Sequence, residues 1–255
     1  MMGITKPYCR LWRPLKGYGV FNRMFSNGEP AVTTEYLDDE RFACQAEMES
    51  LVTTAHLIVR DLYEIFDFVE PCDANVAAYS HRIYELFLRT ATEFESNCKG
   101  ILNANGYVKA RMNAEDYFKI AAAARISGYE VRITRWATDH VFKPFASWNG
   151  AVYAPLAWYQ DYNLVKHNRY ANFSKANFGN LMNAVAGLLC ILYVQIGGEM
   201  DRACFEGFST SQSDQQKVSN GTFTIHAPQF PEAEQYEFIW DNIKLQPDAV
   251  HKYNF

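Results

Sequence analysis

The chain has 255 residues, 49% of them apolar and 15% aromatic, enough for one substantial hydrophobic core. With 24 Lys plus Arg against 29 Asp plus Glu the formal net charge is −5, which argues against a surface coated with positive charge for nonspecific DNA binding but leaves room for a local basic patch. Six cysteines, at positions 9, 44, 72, 98, 190 and 204, form no CxxC pair and no zinc or disulfide-framework spacing, so reduced thiols in a cytoplasmic protein are expected.

The elements are read in chain order. Residues 1–38 mix Pro7, Pro14, Gly17, Gly19, Gly28 and Pro30 with scattered aromatics, and an irregular arm packed on the body is expected. The opening MMGITKPYCRLWRP lacks the apolar stretch of a signal peptide, and the sequons at Asn172 and Asn220 are read as chance. From about Asp39, Phe42, Met48, Leu51, Val52, Ala55, Ile58, Leu62, Ile65 and Phe66 recur at helical spacing until Pro71. A second amphipathic helix is expected from about Ala74 to Leu102, closed by Asn105-Gly106 and paired antiparallel with the first. Asn113 suits the N-cap of a short helix through Ala124, and YEVRITRW after Gly128 alternates like a strand.

A helical pattern then runs from Leu156 towards Gly197, with a break or bend predicted near Phe173 to Asn180. Its apolar part, Leu181 to Ile196, is interrupted by Asn183 and Gly187 and is shorter than the ~20 residues that span a bilayer, so a buried core helix and no membrane association are expected. Ser209 to Ser219 reads as a loop, and two short strands are predicted around Phe223–Ala227 and Tyr236–Trp240. The fold class expected is mainly α: a helical bundle with a small β element near 130–136 and a short C-terminal β hairpin. The organisation is an arm (1–38), a helical core (39–200) and C-terminal loops and strands packed on it (201–255).

The chain contains no Gly-rich phosphate loop, HExxH or GxSxG, and its six histidines have no metal-ligand spacing. No metal and no cofactor are therefore expected. The segment that draws attention is Trp158-Tyr-Gln-Asp-Tyr-Asn-Leu-Val-Lys-His-Asn-Arg-Tyr170. On a helix Asn163, Lys166, His167 and Tyr170 fall at i, i+3, i+4 and i+7, giving one face an amide, an ammonium, an imidazole and a phenol. Arg169 leaves about 200° further round the helix. An imidazole beside cations suits RNA cleavage: His167 exchanges a proton with a 2′-hydroxyl or a leaving oxygen, and Lys166 or Arg169 offsets phosphorane charge. The same pattern also describes a solvated helix face.

The segment YNLVKH resembles the RNxxxH motif of the HEPN superfamily, small α-helical domains that include metal-independent ribonuclease toxins and antiviral effectors. The resemblance spans roughly residues 40–200. It places Asn163 at the polar position and His167 at the histidine, but Tyr162 stands where the family has an arginine that helps bind the scissile phosphate. Lys166 or Arg169 would have to substitute for it, or nuclease activity has been lost. The resemblance implies a homodimer with a groove between protomers, RNA as substrate, and a cognate antitoxin or effector partner in a bacterial stress or antiviral system.

Arg135-Trp-Ala-Thr-Asp-His140 matches the bare Arg-x4-His spacing with Trp at the polar position and a strand pattern before it. In the second helix Glu85, Arg89 and Glu93 form an i, i+4 ladder, and Glu93 or Arg89 facing His167 would set its protonation. Phe145, Trp148, Trp158, Tyr159 and Tyr162 near Lys143, Lys166, Arg169 and Lys175 suit base stacking along RNA, although aromatics at these spacings more often form a core or a dimer interface. Three readings follow: a ribonuclease or RNA-binding protein, a noncatalytic module holding a nucleotide or protein partner in the same groove, and a structural protein whose Asn163 and His167 satisfy buried backbone. Exposure of Lys166 and His167 discriminates among them.

Overall fold

The computed structural model describes residues 3–16, 45–197, 209–211, 214–219 and 221–255. The rest of the expected arm (17–38), the start of the first helix (39–44), Cys44, Cys204 and Asn220 lie outside them. Helix α1 runs Gln45–Phe66 and α2 runs His81–Ala104. The Ser80 hydroxyl caps α2 by accepting from the Ile83 amide at 3.2 Å, which starts that helix later than the apolar pattern alone predicts. A 3-10 turn, Asp73–Asn75, occupies the connection. Helix α3, Ala114–Ala124, carries a capping box in which Asn113 and Asp116 each accept from the other's backbone. Helices α4 (Ala157–His167) and α5 (Arg169–Asn172) follow, then α6 (Phe178–Ile196) and, near the C-terminus, α7 (Trp240–Ile243).

The fold is mainly α, as its sequence pattern implies. Helix α6 is the core element: nearly every residue from Leu181 to Ile196 is buried, and it packs against α1, α2 and α4. It is long and apolar enough to cross a membrane by composition, yet 83% of its apolar window is buried inside the protein. Trp158, Phe145 and Pro144 approach Gly187, which explains why the apolar run admits a glycine there. At its end Gly197 adopts φ +61° directly against the Trp12 indole, where a side chain would collide.

A five-stranded antiparallel sheet lies beside the helices in the order β2-β1-β5-β4-β3, with β1 Glu130–Ile133, β2 Val141–Phe142, β3 Ser209–Ser211, β4 Asp214–Ser219 and β5 Phe223–His226. Val131 pairs with Ile225 and Ile133 with Phe223, all four buried, so one face of the sheet joins the core. Strands from the C-terminal stretch thus share a sheet with those between α3 and α4.

Two expectations are corrected here. Within the stretch read as a loop, Ser209–Ser211 and Asp214–Ser219 form strands, because their polar backbone pairs with each other and, through β4, with β5. The alternating Tyr236–Trp240 segment is no sheet strand. It lies against the arm, with Tyr236 N donating to Pro14 O at 2.9 Å and Glu237 N to Ile4 O at 2.8 Å, and Trp240 opens α7. Alternation reports burial of every second side chain and does not say which backbone is the partner. The described arm, residues 3–16, is irregular and is buried mainly from Cys9 to Leu15. Its Arg10 is fully enclosed, donating to Gln195 Oε1 at 2.8 Å and Glu47 Oε1 at 2.9 Å, and thereby ties the arm to α6 and α1.

Candidate functional site

Helix α4 buries Trp158, Tyr159, Tyr162 and Val165. Trp158 is 4% exposed, donates to Pro144 O at 3.0 Å and meets Phe94 edge to face. Tyr162 is 1% exposed and packs on Phe87. Both belong to the core, which corrects their assignment as substrate-binding residues: i, i+1, i+4 and i+7 is the face an 11-residue helix turns inward. Tyr159 is likewise buried. Burial and the neighbouring Glu95 carboxylate raise its phenol far above the usual range, so it stays protonated and donates to Glu95 Oε1 at 2.8 Å.

The predicted stripe from Asn163 to Tyr170 is interrupted. Asn168 leaves helical geometry at φ −145°, ψ 78°, and its side chain accepts from Ala171 N at 3.2 Å to open α5. Tyr170 therefore departs from the face of Asn163 and Lys166 and is fully exposed. The structure divides the stripe into two surfaces.

The first is a cleft of about 370 Å³ between α2, the N-terminal end of α3 and α4, lined among others by Glu95, Asn113, Glu115, Tyr153, Asn163 and Lys166. The Lys166 ammonium donates to Tyr162 Oη at 2.9 Å and lies 3.7 Å from Glu95 Oε1. The Tyr162 bond, with the Glu95 charge behind it, outweighs partial burial and holds this lysine charged above its ordinary range.

The second surface is the corner where α4 meets α5. His167 ends α4 and is exposed. Arg169 Nη2 lies 2.7 Å from His81 Nδ1, and its guanidinium sits over Tyr84 at 4.6 Å and Phe173 at 5.2 Å. A guanidinium only donates, so His81 Nδ1 is the acceptor and the ring carries its proton on Nε2. Tyr79, half exposed, completes an aromatic cluster around Phe173. Among the described residues no carboxylate pairs with Arg169.

Arg89 and Glu93 belong to neither surface. Arg89 pairs with Asp61 of α1, so the expected ladder gives way to an interhelical bond, and Glu93 is half-buried. Burial raises the Glu93 carboxyl above its ordinary range, against the opposing charge of Arg89. The Arg135–His140 segment is a latch: Trp136 Nε1, Thr138 Oγ1 and His140 Nδ1 converge on Asp73 at 3.1, 2.9 and 3.0 Å, and Arg135 covers Phe66. The Thr138 and Trp136 bonds hold the Asp73 carboxyl below the usual range.

Sequence reading missed His81, Glu95, Asn113 and Tyr153. Only Asn113 had a local signal, as a cap; the others acquire their neighbours from segments far away in the chain. Among the described residues no three His, Cys, Asp or Glu side chains are grouped to hold a metal ion. Compared with known protein families, with curated proteins and with solved structures, the chain gives no match.

Proposed function

We propose that the protein is a metal-independent ribonuclease whose working surface is the α4–α5 corner, with Arg169 as phosphate-binding cation and His167 as general acid/base. The observation that carries this reading is Arg169, an exposed guanidinium fixed by two aromatic faces and the His81 ring, with no carboxylate among the described residues neutralising it. A guanidinium so placed keeps its charge for a phosphodiester. Tyr79 and Tyr170 present rings on which unpaired bases stack. His81 offers its Nε2–H to a phosphoryl oxygen. His167 takes the 2′-hydroxyl proton as O2′ attacks phosphorus, and as imidazolium returns a proton to the departing 5′-oxygen.

In this reading Arg169 performs the phosphate role that the HEPN resemblance gives to the position of Tyr162, a residue too deeply packed to reach substrate. Homodimerisation and a cognate protein partner belong to the same proposal.

The test is cleavage of single-stranded RNA in EDTA by wild type, His167→Ala and Arg169→Ala. Wild-type products ending in 2′,3′-cyclic phosphate, lost in both variants, are the expected result. Absence of cleavage by wild type, or full activity in His167→Ala, overturns the reading.

A further inference from the structure

The cleft beside Asn163 is distinct in chemistry from the corner. Its charged groups are largely neutralised internally: Glu95 accepts from Tyr159 at 2.8 Å, lies 3.4 Å from Lys99 and faces Lys166. Four groups on its walls remain uncommitted among the described residues. The half-buried Asn163 amide makes no hydrogen bond to protein, the Tyr153 hydroxyl has none, and Glu115 has no ion pair. Asn113 uses its oxygen to cap α3, accepting from Glu115 N at 3.0 Å, which leaves its NH2 available.

These groups define the ligand by elimination. A phosphate or carboxylate offers only acceptors, so it leaves the carboxylate of the exposed Glu115 without a donor, and the Lys166 charge that would attract it already faces Glu95. An alkylammonium offers only donors, leaving the NH2 groups of Asn163 and Asn113 without acceptors. With Asn113 and Glu115 exposed and Asn163 and Tyr153 half-buried, the occupant that best matches the walls has donors and acceptors together, and the Tyr153 ring favours a planar one. A nucleobase with an exocyclic amine meets all of this: the amide reads an amine and its adjacent ring nitrogen in pairs, and a carboxylate accepts from the amine. The volume lies at the low end of ordinary small-ligand pockets and suits one base with its sugar.

We infer that this cleft is a nucleobase pocket that takes adenine or another amine-bearing base, read by Asn163 and Glu115. The base comes either from a free nucleoside or from an unpaired position of an RNA strand, and both present the same edge. Binding here does not depend on cleavage at the corner.

The experiment is isothermal titration of the full chain with adenosine, uridine and a six-residue adenine oligoribonucleotide. Adenosine saturates the wild type, uridine binds about tenfold more weakly, and Asn163→Ala weakens adenosine binding at least about tenfold. Among the described residues the Asn163 side chain has no hydrogen-bond partner, so its removal is expected to leave the fold intact, as circular dichroism checks. Tyr153→Phe, which keeps the ring, serves as the second, milder variant. If the oligonucleotide binds with the same Asn163 dependence, the base enters from a strand; if only adenosine does, the ligand is a free nucleoside. Absence of saturable adenosine binding, equal affinity for uridine, or an unchanged Asn163→Ala overturns the inference. His167→Ala retains adenosine binding, so failure of the ribonuclease reading and failure of the pocket are separately visible.

Discussion

The cleft at Asn163 and the corner at Arg169 lie on one stretch of chain, and they treat a cation in opposite ways. In the cleft Lys166 is held by Tyr162 and faces Glu95, so its charge is answered within the protein. At the corner Arg169 is held by His81, Tyr84 and Phe173, all neutral, so its charge is positioned without being cancelled. The difference teaches that a cation becomes a ligand-binding group according to what holds it, and composition is silent on that. Asn168 separates the two, since an unbroken helix would carry Tyr170 onto the face of Asn163 and Lys166.

His167→Ala is expected to give the largest effect, a fall of about 10²–10⁴ in RNA cleavage rate, the usual contribution of one acid/base group. An equal fall in Lys166→Ala would merge the two surfaces into one site. Trp158→Ala should cost about 3–5 kcal/mol in urea unfolding because it opens a cavity between Phe94 and Gly187. A change within about 0.5 kcal/mol would return Trp158 to the surface as a stacking platform. Arg169→Lys keeps the charge but loses the planar stack and the fixed donor to His81. RNA affinity should fall about tenfold at low salt, whereas Lys166→Arg should leave it nearly unchanged.

The smallest effect concerns acid stability of the cleft wall. Burial pushes the Asp116 carboxyl up, but its bonds from Lys109, Tyr107 and Asn113 N prevail and set it below the ordinary range. A carboxyl with a lowered folded pKa binds fewer protons folded than unfolded. Its stabilisation is therefore complete above the unfolded value, about 3.9, and is lost as pH falls through the folded one. Melting temperature should drop on acidification below about pH 4, and Asp116→Asn should flatten that slope. An unchanged slope in Asp116→Asn would remove Asp116 from the acid response.

Much of the framework was legible in the sequence. The stripes of α1 and α2, the Asn113 cap, the strand at Val131 and Ile133 and the break before Asn180 follow from periodicity and from residues that satisfy free backbone donors. The site was legible only in outline. Trp158 and Tyr162 look like a stacking surface because an aromatic stripe has the same spacing whether it faces a core or a strand of RNA. The pairing of Arg89 with Asp61 lay beyond the i, i+4 rule, which sees only one helix.

By itself the sequence determined a mainly α fold, the place of its core helix and the segment carrying its concentrated polar chemistry, because hydrophobic periodicity and capping act over a few residues. The tertiary structure alone decided which polar groups share a surface. His81 reaches Arg169 across 88 residues of chain and Glu95 reaches Tyr159 across 64, contacts set by helix packing rather than by any local pattern. Packing also fixes what holds each cation, and hence whether its charge is cancelled inside the protein or left for a ligand.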